Sequence, residues 1–313
     1  MPRIMVVGSS NTDMVVKTER LPAPGETVIG GEFVSVPGGK GANQAVAAAR
    51  LGAEVVFVAR VGSDLFGDAS LRNFEREGLV TEYVVRDPER PSGVALIFVD
   101  ESGENMIAVA PGSNGALSLR DVDRAADVLS ECDALIVQLE VPIETVTHAV
   151  WLAHERGVRV ILNPAPACPL PKELFAMVDV LTPNESEARQ LLGLQTDQPA
   201  DDPSVLRRFI DMGVKSVILT LGARGVLAIT PNEHRVIPAP RVQAVDTTAA
   251  GDAFTGALGV ALSSGMDIWD ASRFACRAAA TSVTRLGAQC SMPTREEVEA
   301  FQEIDIDLRP GLV

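Results

Sequence analysis

Apolar residues fall along the chain in short unbroken runs, and each run ends in small or polar residues. Ile4 to Val7 ends in Gly8-Ser9-Ser10-Asn11, and Val55 to Val61 in Gly62-Ser63-Asp64. Ala134 to Leu139 ends at Glu140, and Val158 to Leu162 at Asn163-Pro164. Val178 to Leu181 ends in Thr182-Pro183-Asn184-Glu185, and Ser216 to Thr220 in Leu221-Gly222-Ala223-Arg224-Gly225. A continuous apolar run, rather than an alternating one, suits a strand covered on both faces, as in a parallel sheet. Helical stretches stand between the runs: Ala45 to Leu51, Phe66 to Glu77 stopped at Gly78, Ser118 to Ser130, Thr145 to Gly157, and Ser186 to Leu192. The recurring order of strand, polar end and helix predicts an α/β fold, doubly wound, with a mostly parallel sheet flanked by helices. Ligands of such folds sit beyond the carboxyl ends of the strands.

Two stretches break this rhythm. Val15-Val16-Lys17, Thr27-Val28-Ile29 and Phe33 to Val36 are short β-type segments around a loop with Pro and Gly. Ser92 to Asp100 and Asn105 to Ala110 are two more, joined by a turn at Glu101-Ser102-Gly103-Glu104. Segments 14–36 and 92–110 are expected to form one small antiparallel β lid over the site of a single domain spanning 1–313.

The chemistry concentrates in Asp246-Thr247-Thr248-Ala249-Ala250-Gly251-Asp252-Ala253-Phe254. Extended segments from Arg235 to Val245, broken by Pro238 and Pro240, precede it, and an apolar helix from Ala253 to Leu262 follows. A run without bulky side chains lets N–H groups at a helix start converge on an anion. Asp252 at its edge can take a proton from an alcohol while those groups hold a transferred phosphoryl. By itself the same Asp reads more readily as a cap or dipole partner, since caps outnumber catalytic carboxylates.

Gly38-Gly39-Lys40-Gly41-Ala42-Asn43-Gln44 opens another helix. It is neither GxxxxGK[ST] nor GxGxxG. Glycines before a helix allow a ligand close to the backbone, and Asn43 offers both a donor and an acceptor to a polyol. Asn11 and Asp13, after the first strand, are further candidates for a polar substrate, with an Asx turn as the plainer explanation.

Composition narrows the partners. With 46% hydrophobic and only 4% aromatic residues among 313, the core is built from Val, Leu, Ile and Ala. A net charge of −15 and a pI near 4.7 argue against nucleic acid and anionic membranes as partners. No apolar run is long enough to span a bilayer, nothing resembles a signal peptide, and Cys132, Cys168, Cys276 and Cys290 form no CxxC pair. A reduced, cytoplasmic protein is expected. His148, His154 and His234 have no metal-site spacing and are given no role.

Gly38 to Gln44, Asp246 to Asp252 and the Asn-x-x-Glu of Asn184 to Glu187 together resemble the signatures of the ribokinase-like (PfkB) carbohydrate kinases. Gly8 to Asp13 and Val283 to Gln289 are similar to the same family, in order and over nearly the whole chain. The resemblance implies ATP-dependent phosphorylation of D-ribose at O5. Asp252 would be the general base, and Ala249, Ala250 and Gly251 the backbone anion hole. Asn11, Asp13, Gly39, Lys40, Gly41, Asn43 and Glu140, with Asp252, would bind the sugar. Asn184, Thr220, Gly222, Gly225, Gly251 and Cys276 would bind the nucleotide. Asn184 and Glu187 would lie near magnesium through water. Asp246, Thr248, Ser282, Arg285, Gly287 and Ser291 would hold a potassium ion that steadies the anion-hole loop. The lid strands would pair two copies into a homodimer. Alternatives within the family are kinases for deoxyribose, fructose or adenosine. Outside the enzymes, a sugar-binding sensor remains, against which the presence of Asp252 argues. A nicotinamide dehydrogenase lacks its GxGxxG.

Overall fold

The computed structural model describes residues 1–301 except 103, 196 and 197. The end of the expected single domain and Gly103 of the expected turn therefore lie outside the described residues.

Among the described residues, thirteen strands form two sheets. In chain order they are β1 (Arg3–Val7), β2 (Asn11–Lys17), β3 (Glu32–Gly38), β4 (Glu54–Gly62), β5 (Val84–Asp87), β6 (Gly93–Val99) and β7 (Asn105–Ala110). They continue as β8 (Ala134–Val137), β9 (Arg159–Leu162), β10 (Val180–Leu181), β11 (Ser216–Thr220), β12 (Val226–Ile229) and β13 (His234–Ile237). The large sheet has the order β13-β12-β11-β10-β9-β8-β1-β4-β5. It is parallel except where β11, β12 and β13 meander antiparallel at one edge. Alternate residues of a strand feed opposite faces, as the two-residue period requires. Ile4 and Val6 join one core, while Met5 and Val7 join the other. This is why the apolar runs are unbroken: helices cover both faces.

The small sheet has the order β3-β2-β6-β7. Each hairpin is antiparallel, and the two join through a parallel β2–β6 seam. Asn11, Asp13, Val15 and Lys17 share one face of β2.

Several expectations need correction. Asn11 and Asp13 do not lie in a loop; they begin β2, directly after the loop 8–10. Thr27 to Ile29 is not a strand, because β2 pairs its Lys17 with Glu32 and the chain between passes through Gly30 and Gly31 at positive φ. The helix expected over 118–130 is two short pieces, Leu119–Asp123 and Ala126–Leu129, parted at Arg124-Ala125. Of the extended run 235–245, only its start is a strand, β13. His148 pairs with Asp123 and stacks on Trp151, a surface arrangement as expected.

Two helices of one layer set up the site. Helix Lys40–Arg50 and helix Ala250–Ser263 pack closely. At their contact, a Cβ on Gly256 would stand 2.7 Å from the Ala47 Cβ and 2.8 Å from the Gln44 carbonyl oxygen. Only hydrogen fits there, so the first turns of both helices lie side by side.

Candidate active site

Helix Ala250–Ser263 begins without a side-chain cap. Its N-cap residue, Ala249, has φ 58° and is the one non-glycine residue with positive φ among the described residues. Such a backbone costs on the order of 1 kcal/mol and is characteristically kept at functional sites. A Cβ built on Gly251 meets nothing within 4 Å. The Ala250 N–H, expected in the anion hole, instead donates to the Thr247 carbonyl at 3.2 Å. The helix start therefore presents the Gly251 and Asp252 N–H groups and its positive dipole end to an open cleft, an arrangement suited to phosphate.

Asp252, 5% exposed, sits in this first turn. Its Oδ2 accepts from Asn43 Nδ2 and its Oδ1 from Gln44 Nε2, both at 2.9 Å. Gln44 Nε2 also donates to Asn163 Oδ1 at 3.0 Å, and Gln138 Nε2 donates to Gln44 Oε1 at 2.6 Å. Asn163 Nδ2 closes the chain on the Thr182 carbonyl. Each amide thereby fixes which way the next one faces. Gln44, Gln138 and Asn163 were not singled out from the sequence; their signal is a polar residue buried at a strand end or on an apolar helix face.

The remaining sugar candidates gather beside Asp252. Gly39 has φ 88°, and a Cβ there would lie 2.6 Å from the Asn11 N, so this turn is pressed against the start of β2. Glu140 Oε2 accepts from the Ser9 hydroxyl and from the Lys40 N–H. Asn43 Oδ1 is buried and has no partner, which leaves an acceptor open. Burial pushes the Asp13 carboxyl up to about 7, with the charges of Glu140 and Asp252 adding to the effect and Lys40 opposing it. The charge of Asp252 is the main reason that the Lys40 ammonium is held above its ordinary value; burial opposes this, and Glu140, Glu187 and Asp13 reinforce it. Asn11, Asp13, Asn43, Glu140, Lys40 and Asp252 thus form one cluster at the foot of the lid.

On the far side of helix Ala250–Ser263 lies a cleft of about 430 Å³. Five of the six nucleotide candidates, Thr220, Gly222, Gly225, Gly251 and Cys276, line it, and Asn184 does not. Val226, Val242, Ala279, Ala280 and Val283 add an apolar wall that the sequence did not point to. Burial pushes the Cys276 thiol up to about 12, so it serves as a small apolar group there. The cluster and the cleft meet at the uncapped helix start.

Residues 1–295 match the pattern of the pfkB family carbohydrate kinase. The chain belongs to this family. It is 43% identical over 303 residues to the ribokinase of Haemophilus influenzae, covering 96% of this chain and 98% of that one. It is 40% identical to the deoxyribokinase of Salmonella typhimurium, covering 96% and 99%. Among solved structures it is similar to Arabidopsis thaliana ribokinase complexed with ribose and ATP, with a TM-score of 0.87, 33% identity, and 96% and 99% of the two chains covered. This pfkB kinase is accordingly a phosphotransferase.

The ion candidates are placed less completely. Asn184 and Glu187 bond each other reciprocally as a capping box. Burial raises the Glu187 carboxyl, Lys40 lowers it and Asp252 raises it, so Glu187 shares the electrostatic field of the site. Asp246 accepts from the N–H groups of Thr248 and Gly287, both at 2.9 Å, and so ties the loop before the helix to the loop 282–291. Burial pushes Asp246 up, but the Thr248 and Gly287 hydrogen bonds outweigh it and hold the carboxyl low. Arg285 turns its guanidinium to Glu297, and the hydroxyls of Ser282 and Ser291 bond the Ala279 and Ala288 carbonyls. Among the described residues, no three His, Cys, Asp or Glu side chains gather as a direct metal cage.

Two measurements check this geometry. Gly251→Ala places a methyl in open space at the helix start, so melting temperature should hold while kcat falls at least tenfold; unchanged kcat would move the phosphate elsewhere. A carboxyl raised from about 4 to about 7 stabilises the fold relative to high pH only while it keeps its proton. The ligand-free chain should therefore lose stability as pH climbs through that window, and Asp13→Asn should lose that part of the slope. Parallel melting curves for the two proteins would contradict the assignment.

Proposed function

We propose that the chain transfers the γ-phosphoryl group of ATP to O5 of D-ribose, giving D-ribose 5-phosphate and ADP. The observation that carries this reading is the cluster of polar side chains set against Asp252 at an uncapped helix start. Asn11, Asp13, Asn43 and Glu140 hold the sugar hydroxyls, with the backbone at Gly39, Lys40 and Gly41 closing one side. Asp252 takes the O5 proton as O5 attacks the γ-phosphorus in line. The bond from that phosphorus to the β-phosphate oxygen breaks, and ADP leaves with the electron pair. The N–H groups of Gly251 and Asp252 stabilise the charge on the transferred group, with Ala249 and Ala250 forming the turn that sets their direction. Similarity to a ribokinase complexed with ribose and ATP supports the choice of both substrates.

The nucleotide fits the cleft of small residues, with Thr220, Gly222 and Gly225 at its phosphate end and Cys276 in its wall. Magnesium with ATP neutralises phosphate charge when bound. Asn184 and Glu187 would meet it through water, which suits an ion that sheds its water reluctantly. A potassium ion would sit by Asp246 and Thr248, with backbone oxygens around Ser282, Arg285, Gly287 and Ser291. The tie from Asp246 to both loops supports that placement. The lid is proposed to pair two copies of the single domain. Phe33, Leu96 and Met106 project exposed from one of its faces, and Val34, Ile107 and Val109 from the other. A cytoplasmic setting agrees with the four free thiols.

Deoxyribose is the second reading, because a deoxyribokinase is 40% identical over nearly the same span. One hydroxyl contact is worth about 1–3 kcal/mol, so a single altered contact would switch preference.

ADP release should be measured with D-ribose, 2-deoxyribose, fructose and adenosine, each with and without potassium. Ribose is expected to give the highest kcat/KM, and potassium to raise it. Another preferred acceptor would overturn the substrate, and identical rates without potassium would remove the ion. By light scattering the native chain should be a dimer, and the double variant Leu96→Glu with Ile107→Glu, one charge on each lid face, a monomer. A monomeric native chain would refute the pairing.

A further inference from the structure

Three chain connections of the lid converge on one side chain that the reaction above does not use. Asn114, 2% exposed, lies in the short 3-10 segment Gly112–Ala116, just after β7 ends at Ala110. Its Oδ1 accepts from the Ser10 N–H at 2.8 Å, and its Nδ2 donates to the Ser10 carbonyl at 3.0 Å. The same Nδ2 donates to Asn11 Oδ1 at 2.7 Å. Ser10 and Asn11 are where β2 starts. Gly93, where β6 starts, is pressed onto the same group: a Cβ there would stand 2.2 Å from Asn114 Nδ2 and 2.3 Å from Asn11 Oδ1.

An amide that accepts through its oxygen and donates through its nitrogen to one backbone unit cannot rotate without losing both bonds. Asn114 is locked in this way. Its remaining N–H then faces Asn11 and can bond only an acceptor. Asn11 must therefore offer its oxygen to Asn114, which turns the Asn11 NH2 group the other way. We infer that Asn114 is a positioning residue: it sets the Asn11 amide so that Asn11 meets the sugar as a hydrogen-bond donor, and it does so from the junction of the lid strands. The inference rests on the reading of Asn11 as a sugar ligand.

The consequence for specificity is direct. A sugar oxygen opposite Asn11 is bound as an acceptor, beside the Asp13 carboxylate and the open Asn43 oxygen, which take donors. Reversing the Asn11 amide would place an oxygen where a donor is needed and leave the sugar oxygen unpaired.

The test is a double-mutant cycle with Asn11→Ala, Asn114→Ala and both together, read as KM for D-ribose, KM for ATP, kcat and melting temperature. Asn11→Ala and Asn114→Ala should each raise the ribose KM about tenfold or more, as expected for a lost buried hydrogen bond. KM for ATP should hold within about twofold. The double variant should match Asn11→Ala alone, because Asn114 acts through Asn11. Asn114→Asp keeps the acceptor for the Ser10 N–H and lacks the donor to Asn11, so it gives the same ribose defect if Asn114→Ala folds poorly. Additive effects, an equal rise in both KM values, or an unchanged ribose KM in Asn114→Asp would overturn the assignment. No effect of Asn11→Ala itself would instead overturn the sugar reading of Asn11 and this inference with it.

Discussion

A carboxylate buried at the start of an apolar helix is tolerated only if its oxygens find donors, and the architecture of this kinase meets that demand at Asp252. Burying such a charge unpaired costs several kcal/mol. Asn43 and Gln44, from the neighbouring helix, each give one N–H, and a hydrogen bond to a charged group contributes about 1.5–3 kcal/mol. The donors reach Asp252 because Gly256 and Ala47 let the two helices approach closely. The donors face the right way because Gln138 and Asn163, at the ends of β8 and β9, fix the Gln44 amide. Helix packing, strand order and the orientation of one carboxylate are thus a single problem with one solution.

The second sheet follows from the first. β1 carries the chain to the carboxyl edge of the large sheet, and within three residues β2 begins the lid. The residues that turn that corner, Ser9, Ser10, Asn11 and Asp13, are buried and polar. Buried polar groups need partners, and here the Ser9 hydroxyl donates to Glu140 while Asn114 bonds the Ser10 backbone and the Asn11 oxygen. The lid beyond them exposes apolar side chains on both faces.

Much of this was legible along the chain. Unbroken apolar runs ending in polar residues mark a parallel sheet and the edge where its ligands sit. The glycine-rich start before Asn43 and the small-residue stretch before Asp252 mark two helix openings. Their meeting was not legible, because it depends on packing between residues 209 positions apart. Asn114 and Gln138 stayed hidden for the same reason: an isolated amide in a loop or at a strand end carries no spacing signal. Thr27 to Ile29 misled because its β-branched residues favour strands, while the register of β2 with β3 leaves them in the connection.

The most direct test of the account is Asp252→Asn, with D-ribose binding followed by calorimetry and turnover by ADP release. The asparagine keeps the shape and loses the base. The account predicts ribose affinity within a fewfold of native and turnover lower by roughly 100- to 10,000-fold, the range for loss of a general base. Near-native turnover in a folded, ribose-binding variant would contradict it.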